Sequence, residues 1–141
     1  MTLQDFLQTR YVRGGRAAPD LDCWGLVRLA RVHLFGRPLL PAFSETQPGE
    51  VRSITRHVLK ESMQGFALCA PKPGAIATCW QGSVCPHVGI VVEADARLWV
   101  LETDAPTGPI LRTIPRFQAR FARVLFYDDP DLPRADAQPP H

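Results

Sequence analysis

From Pro71 onward, short apolar runs recur between turn-forming residues, and this rhythm constrains the fold more than any other feature of the chain. The runs "GAIATCW", "HVGIVVE", "RLWVLET", "PILRTI" and "ARVLFY" are six or seven residues long and rich in β-branched and aromatic side chains. Runs this short are strands rather than helices. The turn-rich "QGSVCP" divides the first two, while short turns and Pro115 divide the last three, as in an antiparallel meander. Four or five antiparallel strands are expected here.

The first half of the chain has a different period. "LQDFLQT" predicts a short helix with Thr2 as its cap, and "RYVRGGRAAPDL" predicts a loop whose glycines allow close backbone approach. A longer helix follows in "DCWGLVRLARVHLF", with Asp22 as N-cap. Its apolar positions Cys23, Leu26, Val27, Ala30 and Leu34 share one face, away from Arg28 and Arg31. Gly36 and Pro38 stop it. "LLPAFSETQPGE" predicts a connector, and residues 48–63 a second helical segment of mixed charge. The residues from Asp128 on lack an apolar face and predict a disordered tail. The expected organisation is one domain over residues 1–127 and a tail over 128–141. Its class is α+β: helices packed on a central antiparallel sheet of about five strands.

Composition narrows the function. A formal net charge of +2, with no basic block interleaved with aromatics, excludes a nucleic-acid binder. Arg13, Arg16, Arg28 and Arg31 read as a solvated face. No apolar run reaches the roughly 18–20 residues that span a bilayer, so no membrane partner is expected. "MTLQDFLQTRYVRGG" lacks the basic start and apolar core of a signal peptide, which predicts synthesis in the cytoplasm. In that compartment Cys23, Cys69, Cys79 and Cys85 are expected as thiols.

Two of the polar residues point to chemistry. Cys23 taken alone fits a small core side chain. It also stands at a helix N-terminus, where unpaired N–H groups and the macrodipole favour a thiolate. His87 opens the strand "HVGIVVE" and needs a polar partner there, with Gly89 leaving space on the same face. A thiol beside an imidazole is the nucleophile–base pair of a cysteine hydrolase. The next strand should supply a group that orients the ring. If Val92 pairs with Arg97 across a four-residue loop, Glu102 lies opposite His87, whereas a three-residue loop places Thr103 there. Zinc is the competing chemistry, through Cys79, Cys85 and His87. Their spacing lacks a Cys-x-x-Cys pair, and no fourth ligand is evident.

"YVRGG", "DCWGLVRL", "PKPGAIATCW" and "HVGIVV" occur in the order seen in the NlpC-type, papain-like cysteine endopeptidases of bacterial cell walls. The resemblance spans Tyr11 to Glu102. With "LFGRPLLP" behind "DCWGLV", the chain looks most like the branch encoded by phages and prophages beside tail-assembly genes. The resemblance implies a papain-like fold and a peptidase acting on peptidoglycan stem peptides, typically at the bond after D-glutamate. Cys23 would be the nucleophile, His87 the general base and Glu102 the third member, with Thr103 in reserve. The family often has histidine at that third place, where this chain reads "VLET". Tyr11 and Asp22 would shape the substrate pocket and Trp24 would narrow it or alter its specificity. No metal or organic cofactor is implied. Partners would be stem peptides and other phage tail proteins, with delivery to the wall as part of a particle. The alternative is a weakly active or inactive structural component of a phage tail tip.

Overall fold

The computed structural model describes residues 1–41 and 65–129. The expected helix over 48–63, most of the connector before it and the tail beyond Asp129 lie outside them. A short helix, α1 (Leu3–Leu7), opens the chain. Thr2 caps it reciprocally: its side chain accepts from the Asp5 N–H, and Asp5 accepts from the Thr2 N–H. The following segment, expected as a loop, folds into a small three-stranded sheet of β1 (Arg10–Tyr11), β2 (Arg16–Ala17) and β3 (Asp20–Leu21). β3 lies centrally, parallel to β1 and antiparallel to β2. Two-residue strands carry no periodicity, which is why the sequence pattern hid them.

The helix α2 (Cys23–Phe35) starts at Asp22 and ends at Gly36 in the left-handed region. Its residues Cys23, Leu26, Val27 and Ala30 are buried as the apolar spacing requires. The central sheet has six strands rather than about five: β4 (Ala67–Cys69), β5 (Ile76–Gln81), β6 (Val84–Ala94), β7 (Arg97–Glu102), β8 (Ile110–Thr113) and β9 (Arg123–Asp128). β4 precedes the change of texture at Pro71 and is too short to show alternation. All pairings in this sheet are antiparallel, in the order β4-β9-β5-β6-β7-β8. The chain is therefore α+β around a mostly antiparallel sheet.

The last strand departs from the expected meander. β9 does not extend the sheet beyond β8 but inserts between β4 and β5. A short helix, α3 (Ile114–Gln118), carries the chain back, with Pro115 in its first turn. Proline fits there because its missing N–H has no helical partner anyway.

Both faces of the sheet are covered. Ile76, Trp80, Val88, Ile90, Val92 and Leu101 pack with α1 and α2 on one side. Ala75, Ala77, Cys79, Val91, Val100 and Phe126 pack with Phe117 of α3 on the other. No helix of the described residues is long and apolar enough to cross a membrane.

One expectation about charge is corrected. Arg31 is fully buried instead of solvated. Its Nη2 lies 3.3 Å from Asp128 Oδ1 and 2.6 Å from Asp129 Oδ2, and its guanidinium stands 4.9 Å over the Phe66 ring. Burial lowers the Arg31 pKa, and the two carboxylates oppose that shift. Arg37 and Lys72 also face Asp128, at 2.9 and 3.7 Å. The last strand runs to Asp128, and Asp128 and Asp129 neutralise a buried cation on α2. Removing one partner of a buried pair costs about 3 kcal/mol. Asp128→Asn should lower unfolding stability by about that amount in urea titrations, and Asp129→Asn, at a half-open position, by less.

Candidate active site

α2 begins where it does because Asp22 accepts the Gly25 N–H at 2.7 Å. The other oxygen of Asp22 pairs with Arg16 of β2. Gly25 has no room for a side chain: a Cβ there would stand 2.2 Å from the Gly15 carbonyl oxygen. The close approach that Gly25 permits is thus the loop before the helix, which clamps the first turn. Cys23 is held in this turn, 7 % exposed.

His87 lies inside β6, three residues from its start, since a turn at Gly82 and Ser83 joins β5 directly to a longer strand than expected. Its cross-strand neighbour on β5 is Cys79. The ring is nearly buried, 5.9 Å from Phe121 in a stacked arrangement and 6.2 Å from Phe117. Nε2 is 2.8 Å from Glu102 Oε1. Cys23 is the other group that acts on the imidazole and favours its charged form; with Nε2 committed to Glu102, Nδ1 is the nitrogen left for a thiol.

The contact with Glu102 arises in a different way from the one expected. β6 and β7 are joined by only two residues, Asp95 and Ala96, both at positive φ, so Ala94 pairs with Arg97 and Val92 with Trp99. Without glycine this pair hides the usual signature of so tight a turn. Continuing the register sets Gly89 opposite Glu102 and Asp104 opposite His87. Glu102 reaches the imidazole diagonally, across Gly89. A Cβ at Gly89 would lie 2.5 Å from Val100 Cγ1 and 3.5 Å from Glu102 Cβ. The bare backbone at Gly89 lets the two strands close and the carboxylate lean over. Thr103, the reserve candidate, is fully buried, and its hydroxyl has no hydrogen-bond partner among the described residues. Asp104 Oδ2 is 4.0 Å from His87 Nδ1 and half-exposed.

Glu102 is only 2 % exposed, and its second oxygen faces two guanidinium groups. Arg112 Nε of β8 and Arg120 Nη1, just after α3, each lie 2.6 Å from Oε2. Burial would raise the Glu102 pKa, but the bonds to His87 and Arg120 hold it below the ordinary 4.5. Burial likewise opposes a charge on His87, yet the hydrogen bonds with Cys23 and Glu102 and their charges raise it from 6.5 to about 9. Burial pushes the other thiols up: Cys85 to about 11, and Cys69 and Cys79 upward as well. None of the four cysteines is in a disulfide.

The remaining expected residues are dispersed. Tyr11 lines a cavity of about 280 Å³ between Thr9–Tyr11 and the 105–109 loop that follows Asp104. Asp22 is buried and committed to the helix cap and Arg16. Trp24 sits in the core, where its indole N–H donates to the Pro41 carbonyl at 2.9 Å. Among the described residues, no three His, Cys, Asp or Glu side chains are grouped to hold a metal ion. Arg112, Arg120, Phe117 and Phe121 were not anticipated. The signal was Pro115 followed by two phenylalanines four residues apart, a helix start read instead as a strand break. No family model, curated protein or solved structure matches the chain.

The raised His87 pKa fixes the sign of a stability change. The charged ring stabilises the fold fully below pH 6.5, and that contribution disappears as pH rises through about 9. Unfolding stability should therefore fall by roughly 3 kcal/mol between those limits. Glu102→Gln should flatten the decline, measured by urea denaturation at stepped pH.

Proposed function

We propose that the chain is a papain-like cysteine peptidase of NlpC type that hydrolyses peptidoglycan stem peptides, working from a phage or prophage tail. The observation that carries this reading is one chain of contacts, in which Cys23 at a helix N-terminus meets His87 and His87 meets a buried Glu102. A nucleophile, a base and an orienting carboxylate in that order are the requirement for acyl transfer through a thioester.

Cys23 Sγ, as the thiolate beside a protonated His87, attacks the peptide carbonyl carbon. The carbonyl oxygen takes the electron pair, and backbone N–H groups of the first turn of α2 stabilise it. Collapse of this intermediate breaks the C–N bond, and His87 Nδ1 delivers its proton to the leaving amine. The acyl group remains on Cys23 as a thioester. His87, now neutral, takes a proton from water as the water oxygen attacks the thioester, and the acid and the thiolate are released. Glu102 keeps Nε2 protonated and the ring aimed at the thiol throughout. The cavity beside Tyr11 is walled by residues 105–109, which follow Asp104 in the chain, and is the candidate for a substrate subsite in this reading.

Purified peptidoglycan or isolated stem peptides should yield new amine termini with the wild-type protein and none with Cys23→Ala. Glu102→Gln should lower kcat/KM by about 100-fold or more, in line with the loss of a base-orienting carboxylate, whereas Thr103→Val should stay within a few-fold of wild type. No release by wild type would overturn the peptidase and leave the tail-tip structural role. Iodoacetamide near neutral pH should modify Cys23 ahead of Cys79 and Cys85.

A further inference from the structure

Glu102 is held on both sides. One oxygen bonds the His87 imidazole at 2.8 Å, and the other meets Arg112 and Arg120 at 2.6 Å each. The two arginines come from different elements, β8 and the chain just after α3, and each is about one third exposed. Arg120 also stands 5.2 Å over Phe121 and 6.0 Å over Phe117, the rings that pack on His87. Carboxylate, imidazole, aromatic ring and guanidinium thus form a closed circuit. A carboxylate needing only to orient an imidazole requires one hydrogen bond to it. Two further cations on its far oxygen draw its charge away from the ring.

We propose that Arg112 and Arg120 are positioning residues that share the Glu102 carboxylate with His87 and thereby limit how tightly it holds the imidazolium proton. The inference rests on the peptidase reading for its catalytic meaning, but its electrostatic content does not need a substrate. An acid that must protonate a leaving amine is most effective when its pKa lies near the working pH. A buried carboxylate paired with the imidazole alone would hold the proton more tightly and make His87 a poorer donor. Among the described residues, the groups facing His87 are Cys23 from α2, Cys79 from β5, Glu102 from β7 and Asp104 after it. Arg120, from just after α3, contacts Glu102 and both aromatic rings beside His87, and Arg112 of β8 contacts Glu102. Opposing the carboxylate therefore falls to the two arginines.

The test is the titration of His87 by NMR in the full, substrate-free chain. Arg120→Gln and, separately, Arg112→Gln should each raise the His87 pKa by about one unit, since an opposite charge within a few ångströms moves a titration by that order. Arg120→Lys should return it to near the wild-type value, because it restores the charge. With stem peptides as substrate, the pH profile of kcat/KM should move to higher pH in the glutamine variants. A His87 titration that is unchanged or lowered in both folded glutamine variants would overturn the proposal. Should one variant fail to fold, the other gives the same reading. If wild type releases no amine while the titration shifts as expected, the peptidase reading fails and the arginine effect stands.

Discussion

The site depends on one buried carboxylate. Glu102 has 2 % of its surface exposed; it bonds an imidazole and the Arg120 guanidinium and stands in ion-pair contact with Arg112. A buried carboxylate is tolerated only when its charge is paired and its lone pairs are occupied. Three features of the chain meet that condition. The two-residue turn at Asp95 and Ala96 sets the β6–β7 register, the missing side chain at Gly89 lets the carboxylate cross to His87, and α3 delivers Arg120 to its far side. A change in register by one residue would send Glu102 to the opposite face of the sheet, against α2.

α2 is fixed with comparable redundancy, and at both ends. Asp22 and the Gly15 carbonyl clamp its first turn, while Arg31, in its second half, is tied to Asp128 and Asp129 at the end of β9. The helix that carries Cys23 is thereby bound to the small sheet on one side and to the last strand on the other. A nucleophile meeting a base on a different element needs such double fixing, because an ångström of drift at the thiol weakens the contact.

Much of this was legible in the sequence, and the part that was not has identifiable physical causes. The caps at Thr2, Asp22 and Gly36, the buried face of α2 and the runs that became β5 to β9 follow from local pattern alone. Cys23, His87 and Glu102 were singled out, and the structure brings those three side chains together. The route to Glu102 differs from the one the spacing predicts, because the register depends on a turn with no glycine to mark it. The position of β9 between β4 and β5 departs from a meander too: strand order is a tertiary choice that no local period encodes. Arg31 looked solvated because its partners are 97 and 98 residues away in sequence. Trp24 and Asp22, expected around a pocket, are held in the core and at the helix cap.

Among the described residues, two buried groups of carboxylates and cations can be compared, and the comparison separates structure from chemistry. Arg31, Arg37, Lys72, Asp128 and Asp129 are guanidinium, ammonium and carboxylate groups, with neither an imidazole nor a thiol among them. That cluster can only hold elements together. The Glu102 cluster has the same carboxylate–guanidinium chemistry with one imidazole added, and the imidazole touches a thiol. The addition turns a fixed charge network into one that can move a proton at physiological pH. The distinction matters for the other cysteines as well. Cys79 lies directly across the strand from His87 and yet is pushed far toward the neutral thiol by burial, since no helix start or hydrogen bond offsets its desolvation. On the peptidase reading, proximity to the base does not by itself make a nucleophile; Cys23 differs from Cys79 in standing at the start of a helix, beside a ring already held by Glu102.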